Sequence, residues 1–181
     1  MKLLFAMAVA MMISVSGCDS ASAADELGTL TLKSQNGQKT CSFPIVRGYH
    51  YYYMGNYGCT NDEFYTFELT GVKAGVEIRF CGGDNCDRSS GGEDDGNGGD
   101  CVGYQDGCFR YKIKTLKRYS SLDSFMFSEF RGTLVGYVPH SSFKMLEVHN
   151  SEHINGKLSR VEIKYCNESD FCGKNPGKGP E

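Results

Sequence analysis

The stretch Val76-Glu77-Ile78-Arg79-Phe80 decides the fold class, because apolar Val76, Ile78 and Phe80 alternate with charged Glu77 and Arg79. Alternation at period two places one face of a strand in a core and the other in water. Gly71 and Gly75 precede it, as a hairpin or tight corner requires. Similar short segments recur along the chain. Residues 29–32, 64–69, 111–116, 125–130, 134–138, 143–148 and 158–165 read as strands at even spacing. Within 111–116, Lys112 and Lys114 oppose Tyr111 and Ile113. There is no long amphipathic helix, and 11 Tyr, 11 Phe and 23 Gly without Trp suit strands joined by turns. The expected fold is mostly β, an antiparallel Greek-key sandwich or barrel.

The N-terminus predicts export. Lys2 precedes an apolar run over residues 3–15, interrupted only by Ser14, which is too short to span a bilayer stably. Val15-Ser16-Gly17-Cys18 resembles the lipobox of bacterial lipoproteins. That resemblance makes residues 1–17 a signal peptide and Cys18 the lipidated mature N-terminus, in a membrane facing the periplasm or exterior. Residues 18–40 then form a tether and first strand. Ala21-Ser22-Ala23 offers ordinary cleavage after residue 23, which would release a soluble secreted protein.

Nine cysteines are odd for an exported chain. Setting Cys18 aside leaves Cys41, Cys59, Cys81, Cys86, Cys101, Cys108, Cys166 and Cys172, enough for up to four disulfides whose connectivity the sequence leaves open. None of these shows the C-x-x-C spacing of a zinc knuckle. The cysteines bound a β-rich domain over 41–172. The Gly-, Pro- and Lys-rich residues 173–181 read as a disordered tail.

The net charge of −3 and the lack of a clustered basic run argue against a nucleic-acid partner. Residues 82–100 contain no apolar side chain except Cys86 and read as an acidic, Gly-rich loop, with Asp94 and Asp95 as contact candidates. Their spacing fits neither an EF-hand nor a glycine-rich nonapeptide. Tyr49, Tyr51, Tyr52 and Tyr53 are the stronger candidates for a partner surface, since tyrosines supply rigid amphipathic contact area. Alternatively, alternate tyrosines pack inward: Tyr51 and Tyr53 share one face of an extended chain, Tyr52 the other.

Two segments repeat a phrase. Residues 61–69 and 155–163 both begin with Asn, place an apolar residue fourth and run into an apolar-Glu-apolar strand. Upstream of the second lies Phe125-x4-Phe130-x-Gly132. In these features the chain resembles the βγ-crystallin superfamily, in which paired Greek-key motifs carry an Asn/Asp, Asn/Asp, x, x, Ser/Thr, Ser signature. The resemblance implies two Greek-key motifs and places Asn61, Asp62, Asn155 and Ser159 at calcium-ligand positions. Tyr65 replaces a Ser/Thr oxygen, Gly156 lacks an acceptor and Arg160 stands where Ser belongs, so the expectation is weak calcium binding or none.

Catalytic signatures are missing: there is no Gly-x-Ser-x-Gly elbow and no phosphate-cradling loop. His149 and His153 have metal-ligand spacing only on a helix, and their neighbours Asn150, Ser151 and Asn155-Gly156 read as a turn. The reading is a non-catalytic, membrane-tethered binding protein that binds or neutralises a protein partner such as a toxin or hydrolase. The alternatives are a calcium- or carbohydrate-binding βγ-crystallin-like secreted protein and a secreted hydrolase.

Overall fold

The computed structural model describes residues 27–82, 109–149, 155–166, 172 and 177–178. These form β1 (Thr29–Ser34), β2 (Thr40–Pro44), β3 (Gly48–Tyr53), β4 (Phe64–Lys73), β5 (Glu77–Cys81), β6 (Arg110–Thr115), β7 (Tyr119–Met126), β8 (Phe143–His149), β9 (Arg160–Tyr165) and β10 (Gly177–Lys178). One sheet has the order β2-β1-β4-β7 and the other β10-β3-β9-β5-β6-β8. Every neighbouring pair is antiparallel except β10 on β3. The protein is mostly β, with two antiparallel sheets.

Side-chain alternation closes the two sheets on one core. Leu30, Leu32, Phe43, Phe67 and Leu69 from the first sheet share a buried cluster with Tyr52, Ile78, Phe80, Tyr111, Ile113 and Val161 from the second. Ring pairs bridge the layers: Phe43 and Tyr52 have centroids 4.7 Å apart, Phe67 and Phe80 4.9 Å, Phe125 and Phe143 5.1 Å. Facing sheets that interdigitate in this way make a sandwich. The chain must also pass close beneath β4. At Gly28 (φ +114°) a Cβ would lie 2.6 Å from the Val72 Cα, so only glycine fits there.

The two halves share a path. β1 and β2 pair in the four-stranded sheet, β3 crosses over, and β4 returns beside β1. β5 and β6 pair in the six-stranded sheet, β7 crosses the other way, and β9 returns beside β5. Both crossing strands end in a 3-10 turn, Met54–Tyr57 after β3 and Phe127–Phe130 after β7. The residues leading into them, Tyr53 and Met126, have φ −80° and ψ 130° and 135°. β8 stands outside this repeat as an edge strand.

Several expectations need correction. The strand read over 125–130 ends at Met126, because burying both Phe127 and Phe130 takes the three-residue repeat of a 3-10 turn. Residues 134–138 are not a strand: Tyr137 N–H donates to the Leu134 carbonyl across a turn (3.1 Å). The tail 173–181 is not wholly irregular, since Gly177–Lys178 pair with His50 and Tyr51. Main-chain pairing to the edge of β3 needs no apolar side chain. Cys41 is joined to Cys59 and Cys166 to Cys172, with Cα atoms 5.7 and 6.0 Å apart. Cys81 is disulfide-bonded too. Cys18, Cys86, Cys101 and Cys108 lie outside the described residues.

Candidate functional site

The outer face of the six-stranded sheet is a grid fixed by strand register. Its central row runs Tyr51, Glu162, Arg79, Lys112, Glu147 across β3, β9, β5, β6 and β8. One flanking row is Tyr49, Lys164, Glu77, Lys114, Lys144, and the other Tyr53, Arg160, Cys81, Arg110, His149. The sequence folds this way because each of these strands spends its alternate apolar residues on the core, leaving tyrosines and charges outward.

Glu162 organises the grid. It faces outward yet is only 3% exposed. Its carboxylate accepts from Arg79 Nη1 (2.7 Å) and the Tyr49 hydroxyl (2.7 Å), and pairs with Arg160 Nη2 (2.6 Å). The Arg160 guanidinium lies over the rings of Tyr51 (4.8 Å) and Tyr53 (5.0 Å) and donates to the Tyr53 hydroxyl (3.1 Å). Glu147 is the second anchor, within 3.3 Å of Arg79 Nε, paired with Arg110, and 4.0 Å from Lys112 Nζ. Lys114 pairs with Glu77 at 3.5 Å, and Lys164 sits 5.7 Å above the Tyr49 ring. The tyrosine rings are therefore held by neighbouring cations.

Electrostatics follow from this crowding. Burial works against the Arg79 charge, but the carboxylates of Glu162 and Glu147 outweigh it and raise its pKa. Lys112 moves the other way: burial first, then the neighbouring Arg79 cation, lower its pKa despite Glu147. Tyr49, Glu77, Arg79, Lys112, Glu162 and Lys164 line a shallow depression at the centre of the face. No family model, curated protein or solved structure matches the chain.

Of the four candidate tyrosines, the structure brings Tyr49, Tyr51 and Tyr53 together on this face. Tyr52 is corrected: it points into the core at 0% exposure, donates to the Pro44 carbonyl (3.1 Å) and offers no contact area. Burial pushes its hydroxyl pKa up. Asp94 and Asp95 lie outside the described residues. Arg79, Arg160 and Glu162 are not among the partner-surface candidates that the sequence offers. Their outward parity is visible in residues 76–80 and 160–164, but their adjacency exists only once β5 and β9 pair.

The two Asn-led phrases do meet. Asp62, at φ 60°, donates its N–H to the Leu158 carbonyl (3.4 Å), and Gly156 N–H donates to the Phe64 carbonyl (3.1 Å). A Cβ at Gly156 would lie 2.9 Å from the Asp62 carbonyl oxygen and 3.2 Å from the Tyr65 hydroxyl. Asn155 Oδ1 is buried with no hydrogen-bond partner among the described residues. Ser159 sits farther along, bonded through its backbone to Met54 and Cys81. Asp62 is the one carboxylate in the set of Asn61, Asp62, Asn155 and Ser159, and the Tyr65 phenol packs against Gly156 where the two phrases meet. These donors fit calcium poorly, because that ion takes six to eight oxygens. Among the described residues no group of three or more His, Cys, Asp or Glu converges. His149 lies on β8, a strand and not a helix, and His153 is outside the described residues.

Proposed function

We propose that this chain is an exported, non-catalytic binding protein that holds a protein partner, such as a toxin or hydrolase, on the outer face of its six-stranded sheet. One observation carries the reading: a column of three tyrosines, clamped by Arg160 and Lys164, borders an ion-paired floor centred on Glu162. Tyr and Arg dominate the cores of protein interfaces, and side chains fixed in advance lose little entropy on binding. Arg79, Arg110, Lys112, Lys114, Lys144, Arg160 and Lys164 outnumber Glu77, Glu147 and Glu162 on this face, in a chain whose net charge is −3. A partner surface carrying carboxylates is the complement.

The fold reading is a pair of Greek-key motifs, each with its third strand laid on the opposite sheet. It is supported by the return of β4 beside β1 and of β9 beside β5. The Asn-led phrases leading into β4 and β9 occupy matching places in the two halves, which supports the βγ-crystallin resemblance. Export, and anchoring through a lipid on Cys18, rest on the N-terminal sequence.

Two double variants test the site: Tyr51→Ser with Tyr53→Ser, and Lys112→Glu with Lys114→Glu. A partner crosslinked to the wild-type protein in the exported fraction and then purified should bind each variant at least roughly tenfold more weakly, as loss of central anchors does. Equal affinity for wild type and both variants would rule this face out.

A second reading, calcium binding where the two Asn-led phrases meet, is favoured by Asn155 Oδ1, which is buried with no hydrogen-bond partner among the described residues, next in sequence to Gly156, whose Cα faces the Asp62 carbonyl. A thermal melt that is the same with millimolar calcium and with chelator removes it.

A further inference from the structure

We infer that the turn 134–138, together with the β6–β7 turn, seats the protein on an anionic lipid bilayer, an inference that rests on Cys18 being lipidated. Leu134 is 75% exposed and Val135 65%, with Tyr137 and Val138 about half exposed beside them. These are large apolar side chains held outward by an ordered backbone. Gly136 N–H donates to the Met145 carbonyl and Met145 N–H to the Tyr137 carbonyl, each at 2.8 Å, which pins the turn to the free edge of β8. A second exposed apolar pair, Leu116 and Tyr119, reaches the start of the same strand: Leu116 N–H donates to the Ser142 carbonyl (2.9 Å), and Lys117 Nζ donates to the Ser141 hydroxyl (2.8 Å).

Lys117 and Arg118 lie between Leu116 and Tyr119, and Arg131 precedes the 134–138 turn; all three are exposed. The nearby carboxylate Glu129 is turned back onto the Met126 N–H (3.1 Å). Apolar and tyrosine side chains flanked by cations are the composition of a membrane-interface anchor. Cations at such a surface also gain from anionic headgroups.

The position of the chain's start selects the bilayer over a second protein. Lys73 N–H donates to the Leu27 carbonyl (3.0 Å), and Lys73 is the register partner of Tyr119 on β7. Leu27 is therefore about two strand spacings, roughly 10 Å, from Tyr119. Nine residue steps separate Leu27 from Cys18, a reach of roughly 30 Å at full extension. A lipid on Cys18 would hold this end of the sandwich against the headgroups.

The test uses exported protein carrying Cys18→Ser, which has no lipid, and vesicles of phosphatidylcholine alone or mixed with phosphatidylglycerol. The expected result is co-sedimentation with the mixed vesicles that falls with added salt. Leu134→Ser with Val135→Ser should reduce the partition coefficient at least roughly tenfold. Lys117→Glu with Arg118→Glu should reduce it roughly fivefold or more per charge. Lys157→Glu, exposed and away from both turns, should have a smaller effect than either. Absence of sedimentation with mixed vesicles, or equal sedimentation of all variants, overturns the inference, as does a soluble protein captured through Leu134 and Val135 in place of lipid. Intact mass of the wild-type protein reads lipidation separately: a lipid-bearing mass with no vesicle binding by the Cys18→Ser protein rejects the surface and spares the anchor.

Discussion

Replacing Glu162 should be among the most damaging single changes on the surface of this protein. Arg79, Arg160 and Tyr49 all converge on that one carboxylate, at 2.6–2.7 Å. In Glu162→Ala the two guanidiniums, whose side chains are 16% and 11% exposed, lose their shared counter-charge. Removing one partner from a fully buried pair costs about 3–5 kcal/mol. Arg79 still has Glu147, and Arg160 still lies on the rings of Tyr51 and Tyr53, which places the cost near the bottom of that range, about 3 kcal/mol. At roughly 2–4 °C per kcal/mol for a domain of this size, Tm falls by about 6–12 °C. Glu162→Gln keeps the shape and one acceptor and should lose about half as much. Urea unfolding at neutral pH, with unchanged m, measures both. A Glu162→Ala protein within about 1 kcal/mol of wild type would refute the clamp. The triple change Arg79→Met, Glu162→Leu, Arg160→Met sharpens the point: removing Glu162 together with both guanidiniums should cost less stability than Glu162→Ala alone, because Glu147 keeps Arg110 and Lys112.

Alkaline titration should expose the buried phenols. Burial raises the pKa of Tyr52 and pushes Tyr111 up to about 12, so both stay protonated in the folded state where the unfolded chain ionises. Their contribution is complete below pH 10 and is lost as pH rises through the folded values; Tyr111→Phe should flatten the decline between pH 10 and 12 in urea midpoints. Lys112 has the opposite sign: its lowered folded pKa makes stability rise with pH up to its unfolded value, and Lys112→Met should remove that rise in the same series. Cys41→Ser with Cys59→Ser opens an 18-residue separation and should cost about 3 kcal/mol in urea unfolding of the otherwise oxidised protein, and reducing the wild type, which opens the other bridges too, should cost at least as much. Gly156→Ala should destabilise by about 1–3 kcal/mol, because φ is +67° and the new methyl meets the Asp62 carbonyl; a neutral result in a thermal melt would contradict that packing.

The strands whose apolar residues alternate cleanly were legible from the chain alone. Residues 76–80 and 111–116 give β5 and β6 almost residue for residue, since Ile78, Phe80, Tyr111 and Ile113 have nowhere to go but one core. Where alternation fails, the reading failed. β2 holds a cysteine and a proline, and β7 begins Tyr-Ser-Ser, with Ser120 buried by its hydroxyl's bond to the Ser142 carbonyl and not by hydrophobicity. The exposed 134–138 turn misled for the converse reason, being apolar without being inside. The site was half visible. Outward tyrosines and charges follow from parity, yet the row linking Tyr51, Glu162 and Arg79 joins residues far apart in sequence, and only pairing reveals it. The approach of Asp62 to Gly156 joins the two copies of the repeated phrase, but the packing of Tyr65 against Gly156 depends on pairing the sequence does not display.

The exchange of third strands has a consequence for how the polypeptide can be divided. β3 completes the sheet built by the second half, and β7 completes the sheet built by the first, so neither half encloses a core of its own. A cut between β4 and β5 would leave fragments with an open apolar face, and such fragments should associate or stay unfolded. Folding must close contacts that span most of the chain before any of it becomes stable, which makes the transition slow and all-or-none. That indivisibility is a form of protection: a protease that catches one edge strand loose finds no half-folded domain to consume.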